Sequence, residues 1–150
     1  MAARREPTRK PGTLRTRLAA GAVAMLCLAL LLVGASLAPA GVGHGTHTQL
    51  GLPPCAFAAT LGYPCATCGM TTAVAAASGG NLPAALAVQP FGAAVALAAS
   101  TGFWLSIYIA ATGSRLWTSA LPLLRTRPML TVLGLLIASW VYKIIVWNAP

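Results

Sequence analysis

Residues 18–38 read LAAGAVAMLCLALLLVGASLA, a run without a charged side chain. A helix rises about 1.5 Å per residue, and roughly 20 helical residues cross the hydrocarbon core of a bilayer. This run is long enough. Two others match it: residues 91–111, also uncharged, and residues 129–147, interrupted only by Lys143 near the end. Composition agrees, because 57% of the 150 residues are hydrophobic and only 7% are charged, too few polar side chains to clothe a soluble globule. The expected fold is all-α: an integral membrane protein with three transmembrane helices and a short exported hairpin of helices, interfacial or re-entrant.

Ten Lys and Arg face a single acid, Glu6. Spread over a folded surface, that balance would suit nucleic acid. The basic residues are instead grouped: Arg4, Arg5, Arg9, Lys10, Arg15 and Arg17 come before or at the first apolar run, and Arg115, Arg125 and Arg127 lie between the second and third. Positive charge collects on the cytoplasmic side of membrane proteins. The partner implied is therefore the lipid bilayer, with no nucleic acid. Residues 1–17 form a basic cytoplasmic leader, 18–38 the first span, 39–90 an exported segment bearing Cys and His, 91–111 the second span, 112–128 a basic cytoplasmic loop, and 129–147 the third span. Lys143 is expected to snorkel to the headgroups, and Trp140, Tyr142 and Trp147 to form an interfacial aromatic belt. The ending ASLAPAG also fits a signal peptide cut after Ala40, but the apolar run exceeds the ~7–15 residues of signal-peptide cores, so an uncleaved anchor is expected.

Within the exported segment, GVGHGTHTQLGLPPC has the composition of a loop. MTTAVAAAS favours helix but stops at Gly79-Gly80, too short to span. Asn81 is placed to cap a further short helix, with Pro83 in its first turn and an end at Gln89 before Pro90. Small residues recur at helix-packing spacing (Gly34 and Ala38; Gly92, Ala96 and Ser100; Gly134 and Ala138), which allows helices to associate within the chain or with another membrane protein.

The stretch from Cys55 through TLGYPCATCGMTTA to NLPAALAVQPFG resembles the bacterial membrane proteins grouped as domain of unknown function 2752. Their signature is of the type C-P-x-C-G-x-T-R-A, matched here by Cys65, Cys68, Gly69, Thr71 and Ala73. Ala66 stands where the family often has proline, Thr72 where it often has arginine, Asn81 where aspartate is common, and Gln89-Pro90 in place of Asn-Pro. The resemblance covers roughly residues 50–110. It implies a bacterial cytoplasmic (inner) membrane setting and a cysteine motif, with no established activity.

Three readings of the exported thiols follow from their chemistry. Cys65 and Cys68, in C-x-x-C spacing at the start of an expected helix, suit thiol–disulfide exchange, since a helix N-terminus stabilises a thiolate. Membrane proteins that relay electrons in this way usually need a second cysteine pair, and only Cys55 remains outside. Metal binding is the second reading, with His44, His47, Cys55, Cys65 and Cys68 as candidate ligands of a Cys₃His or Cys₂His₂ zinc site. The third is a disulfide from Cys55 to Cys65 or Cys68, which would stabilise the loop by roughly 3 kcal/mol in the chain-entropy model and leave one thiol free. Cys27, in the middle of the first span, is expected to be a small apolar core residue. A nucleotide loop, a dinucleotide fingerprint, H-E-x-x-H and paired carboxylates are all missing, and with one acid in the chain carboxylate catalysis and hard-cation sites are excluded. The sequence thus points to a non-enzymatic membrane component with a structural disulfide and no cofactor.

Overall fold

The computed structural model describes residues 13–114 and 126–147. Among them the chain is all helical, with no strand: α1 (Leu14–Ser36), a 3-10 turn (Thr46–Leu50), α2 (Ala56–Leu61), α3 (Met70–Ser78), α4 (Leu82–Val88), α5 (Pro90–Thr112) and α6 (Thr126–Ile145). Two of these, α1 and α5, are long and apolar enough to cross a membrane. The third span expected at residues 129–147 is a shorter case, since the apolar part of α6 runs from Met129 to Ile145 and Val146 and Trp147 fall beyond the helix.

Helix α1 begins at Leu14, ahead of the expected Leu18, because Thr13 caps it and accepts from the Thr16 amide. Arg15 and Arg17 are thereby drawn into the helix. Arg17 donates from Nε to the Ala110 carbonyl (2.8 Å) and from Nη2 to the Ala111 carbonyl (2.9 Å). Those carbonyls belong to the last turn of α5, where intrahelical donors run out and a cation is favoured. The start of α1 and the end of α5 therefore share one end of the molecule, and the two helices run antiparallel. At the other end α1 stops at Ser36, shortly before Pro39, and the Gln49 side chain clasps Ala38, accepting from its amide (3.1 Å) and donating to its carbonyl (2.7 Å).

Residues 37–89 form a roof over that end. Helix α3 is its keystone, packed against α1, α4, α5 and the 3-10 turn, with Thr72, Ala73, Val74, Ala75 and Ala76 all buried. Such burial excludes an exposed surface helix. Gly79 and Gly80 end α3, Asn81 caps α4 by accepting from the Ala84 amide, and Pro90 opens α5, as the sequence predicts. The close approach of α3 depends on small residues: Gly34 of α1 faces Val74 and Ser78, and Gly92 of α5 faces Met70 and Ala73. Gly134, by contrast, has open space around it. The sulfur of Cys27 lies beside Gly102, half-buried between α1 and α5.

Large apolar side chains on these helices face outward, Leu26 being 71% and Trp104 69% exposed. An apolar exterior over apolar small-residue packing is the pattern of a helix bundle in lipid. A Cβ at Gly92 would lie 2.9 Å from the Ala73 Cβ and 3.0 Å from the Met70 carbonyl oxygen. Gly92→Val is expected to destabilise the detergent-solubilised protein by about 1–3 kcal/mol, measured as a lower unfolding temperature, whereas Gly134→Ala should leave it unchanged or slightly raised.

Candidate functional site

The thiols are brought together by a turn and a short helix. The Cys68 amide donates to the Cys65 carbonyl (3.0 Å), closing a turn that sets the two sulfurs 3.3 Å apart. Cys55 arrives from the other side. It caps α2, and Gly62, left-handed at φ +69°, reverses the chain after that helix. The Cys55 sulfur then lies 3.5 Å from that of Cys65 and 3.4 Å from that of Cys68. The result is a nearly equilateral triangle of sulfurs.

The loop that carries them is tied down by its own carbonyls. Trp140 Nε1 donates to Pro64 O (3.0 Å), Gln89 Nε2 to Ala66 O (3.2 Å) and Trp147 Nε1 to Gly62 O (2.9 Å). Gly69 follows at φ +86°, where an added Cβ would lie 2.8 Å from the Gly43 carbonyl oxygen and 3.3 Å from Lys143 Nζ. Only glycine fits there. Helix α3 starts after it, so the cysteines precede the helix and do not occupy its first turn.

Two expectations change here, and the geometry bears on two more. Lys143 does not reach for headgroups: it is 4% exposed, and Nζ donates to Gly43 O (3.0 Å) and Val88 O (3.3 Å), two carbonyls that converge on it beneath the roof. Trp140, Tyr142 and Trp147 use their polar tips to hold roof carbonyls, Tyr142 through Ala87 O at 2.7 Å, so they fasten α6 to the roof. No disulfide joins Cys55 to Cys65 or Cys68; all are free thiols, and three almost equal separations single out no pair. Finally, His44 and His47 line the same cavity of about 640 Å³ as the three cysteines, but among the described residues only Cys55, Cys65 and Cys68 have ligand atoms mutually within 4.8 Å. His44 Nδ1 is bonded to Val42 O and His47 Nε2 to Pro53 O, each at 3.1 Å, and the His44 ring packs on Trp147.

The environments of the two C-x-x-C thiols differ in electrostatics. Burial pushes the Cys65 thiol up, but the Thr67 hydroxyl, the Cys68 thiol, the Thr67 amide and the Cys55 thiol together outweigh it and bring the group down to about 7. Burial, followed by the bonds given to Cys65 and Cys55, pushes Cys68 up to about 12. One of the two ionises at neutral pH, and the other keeps its proton to donate. Sequence reasoning missed Thr67, Gln89, Trp140 and Lys143 as residues that shape this site; no spacing signal marks them.

A half-buried Cys₃ cluster on a helical roof defines a thiolate site, with either metal binding or thiol exchange within its chemistry. Residues 55–103 match a family model described as Protein of unknown function (DUF2752). The chain resembles that family over a stretch that starts at Cys55 and contains all three clustered cysteines. No curated protein and no solved structure matches the chain.

In reduced, metal-free protein, Cys65 should be the first of the three alkylated by iodoacetamide. Its rate should rise with pH through a midpoint near 7, as the thiolate forms, while Cys68 stays unreactive over that range. Peptide mapping of samples quenched between pH 5 and 9 reads both rates.

Proposed function

We propose that this is a three-span membrane protein that holds one thiophilic metal ion, zinc being the fitting choice, on Cys55, Cys65 and Cys68 at the exported end of its helices. The observation that carries this reading is the triangle of three sulfurs 3.3, 3.4 and 3.5 Å apart. Zinc–sulfur bonds of about 2.3 Å place tetrahedral thiolates roughly 3.8 Å from one another, so a small expansion of the triangle accommodates the ion. A bridge between any two cysteines would leave the third thiol stranded against it. Ligation uses all three.

Charge supports the same reading. Three thiolates around a divalent ion carry a net −1, and Lys143, buried beneath the same roof with its Nζ against Gly69, the residue after Cys68, would supply the compensation that a low-dielectric site requires. Held by metal, the thiols would also be protected in an oxidising compartment. Topology is supported from both ends: Arg17 and the end of α5 share one end with the basic leader, and the tip of α6 joins the cysteine roof at the other. On this reading the N-terminus lies in the bacterial cytoplasm and the site outside it, with a binding role and no turnover.

A second reading, thiol–disulfide exchange, is favoured by the contrast between Cys65, drawn down to about 7, and its protonated neighbour Cys68. Metal analysis separates the two. Protein purified in detergent under thiol-trapping conditions should carry about one zinc per chain, and Cys55→Ser should lose it. A metal-free wild type with a Cys65–Cys68 disulfide would sink the metal reading and establish exchange.

A reporter fused after Ser78 should be active only if it works outside the cytoplasm, and one fused after Ser119 only if it works inside. The reverse pattern at either position would overturn the topology.

A further inference from the structure

The size of the sulfur triangle says where a metal would stand. The centre of such a triangle lies about 2.0 Å from each sulfur, less than the ~2.3 Å of a zinc–thiolate bond, so the three sulfurs would hold an ion from one side. That geometry is pyramidal. It leaves a fourth vertex, and the sulfurs open onto a cavity of about 640 Å³.

The described residues offer nothing to fill that vertex. A tetrahedral nitrogen ligand would sit about 3.6 Å from the sulfurs, whereas no histidine nitrogen comes within 4.8 Å of all three. The one carboxylate, Glu6, lies outside the described residues. The cavity is far larger than the ~30 Å³ a water molecule occupies and falls within the range of small-molecule sites. Its wall is mostly apolar around Ala58, Ala59 and Met70, with hydroxyls at Thr48 and Thr71.

We propose, resting on the metal reading above, that the cavity admits a small organic thiol whose sulfur becomes the fourth ligand of the metal held by Cys55, Cys65 and Cys68. A thiolate-rich centre prefers a soft donor, and an apolar cavity accommodates the carbon chain of the thiol. On binding, the S–H bond would break and the sulfur would replace a solvent water at the fourth position, the proton and the water passing to solvent with no electron transferred. Apparent affinity therefore rises with pH below the thiol's own pKa.

The test uses full-length protein in detergent loaded with cobalt(II), whose visible bands report tetrahedral coordination. Titration with 2-mercaptoethanol should shift these bands saturably, with one thiol per cobalt. His44→Ala and His47→Ala should leave the starting spectrum unchanged. Ala58→Leu, which fills part of the cavity, should keep one cobalt per chain and weaken the thiol by about tenfold or more. The wild-type titration stands without any variant. Cobalt bound with a spectrum indifferent to thiol, or altered by either histidine variant, would overturn this inference and leave the metal reading intact. Failure to bind cobalt, or binding that survives Cys55→Ser, would overturn both.

Discussion

A lysine nitrogen taken out of water must find acceptors or cost several kcal/mol, and where Lys143 finds them fixes the roof. Its Nζ reaches Gly43 O and Val88 O, so one side-chain tip joins α6 to the chain before the 3-10 turn and to the end of α4. Gly69 must lack a side chain because that nitrogen and the Gly43 carbonyl occupy the space a Cβ would take. Trp140, Tyr142 and Trp147 repeat the pattern, each with an apolar body on α6 and a polar tip on a roof carbonyl. Helix α6 makes few contacts with α5, so these donors hold it in place. The roof can be rich in glycine and proline because carbonyls left over by its irregular backbone are satisfied by another element.

Much of the fold was legible in the sequence because the signals were local. An uncharged run of bilayer length marks α1 and α5 wherever they pack, and Gly79-Gly80, Asn81, Pro83 and Pro90 punctuate α3 and α4 through backbone rules that act within a few residues. The ends of α1 shifted for an equally local reason: Thr13 offered a cap that counting apolar residues ignored. The site was legible only in its membership. Cys55, Cys65 and Cys68 were singled out, but Cys55 is separated by 10 and 13 positions from its neighbours, and its approach depends on α2, too short at AFAATL to show a period, and on the reversal at Gly62. Spacing alone allowed a disulfide. It could not say that the third sulfur lies as close as the second.

Lys143 was misread for a related reason. In sequence, a lysine near the end of an apolar helix looks the same whether it turns toward lipid headgroups or toward two carbonyls beneath a roof. Tertiary position decides between them, since Gly43 and Val88 are 100 and 55 residues away in the chain. The histidines show the converse. Their spacing left joint ligation open, and tertiary position decides where the rings go: the 3-10 turn begins at Thr46, between them, with one ring on Val42 and Trp147 and the other on Pro53.

Charge connects the site to the helices that carry it. The chain's one acid, Glu6, lies outside the described residues, and Lys143 instead meets two carbonyls and packs against Gly69, the residue that follows Cys68. Negative charge formed in the triangle, as a thiolate or as a metal–thiolate centre, would attract that nitrogen more strongly there than in water, because the setting has a low dielectric. The same nitrogen fastens α6 through Gly43 and Val88. On the metal reading, the charge of the triangle and the docking of the last helix would therefore be linked through Lys143.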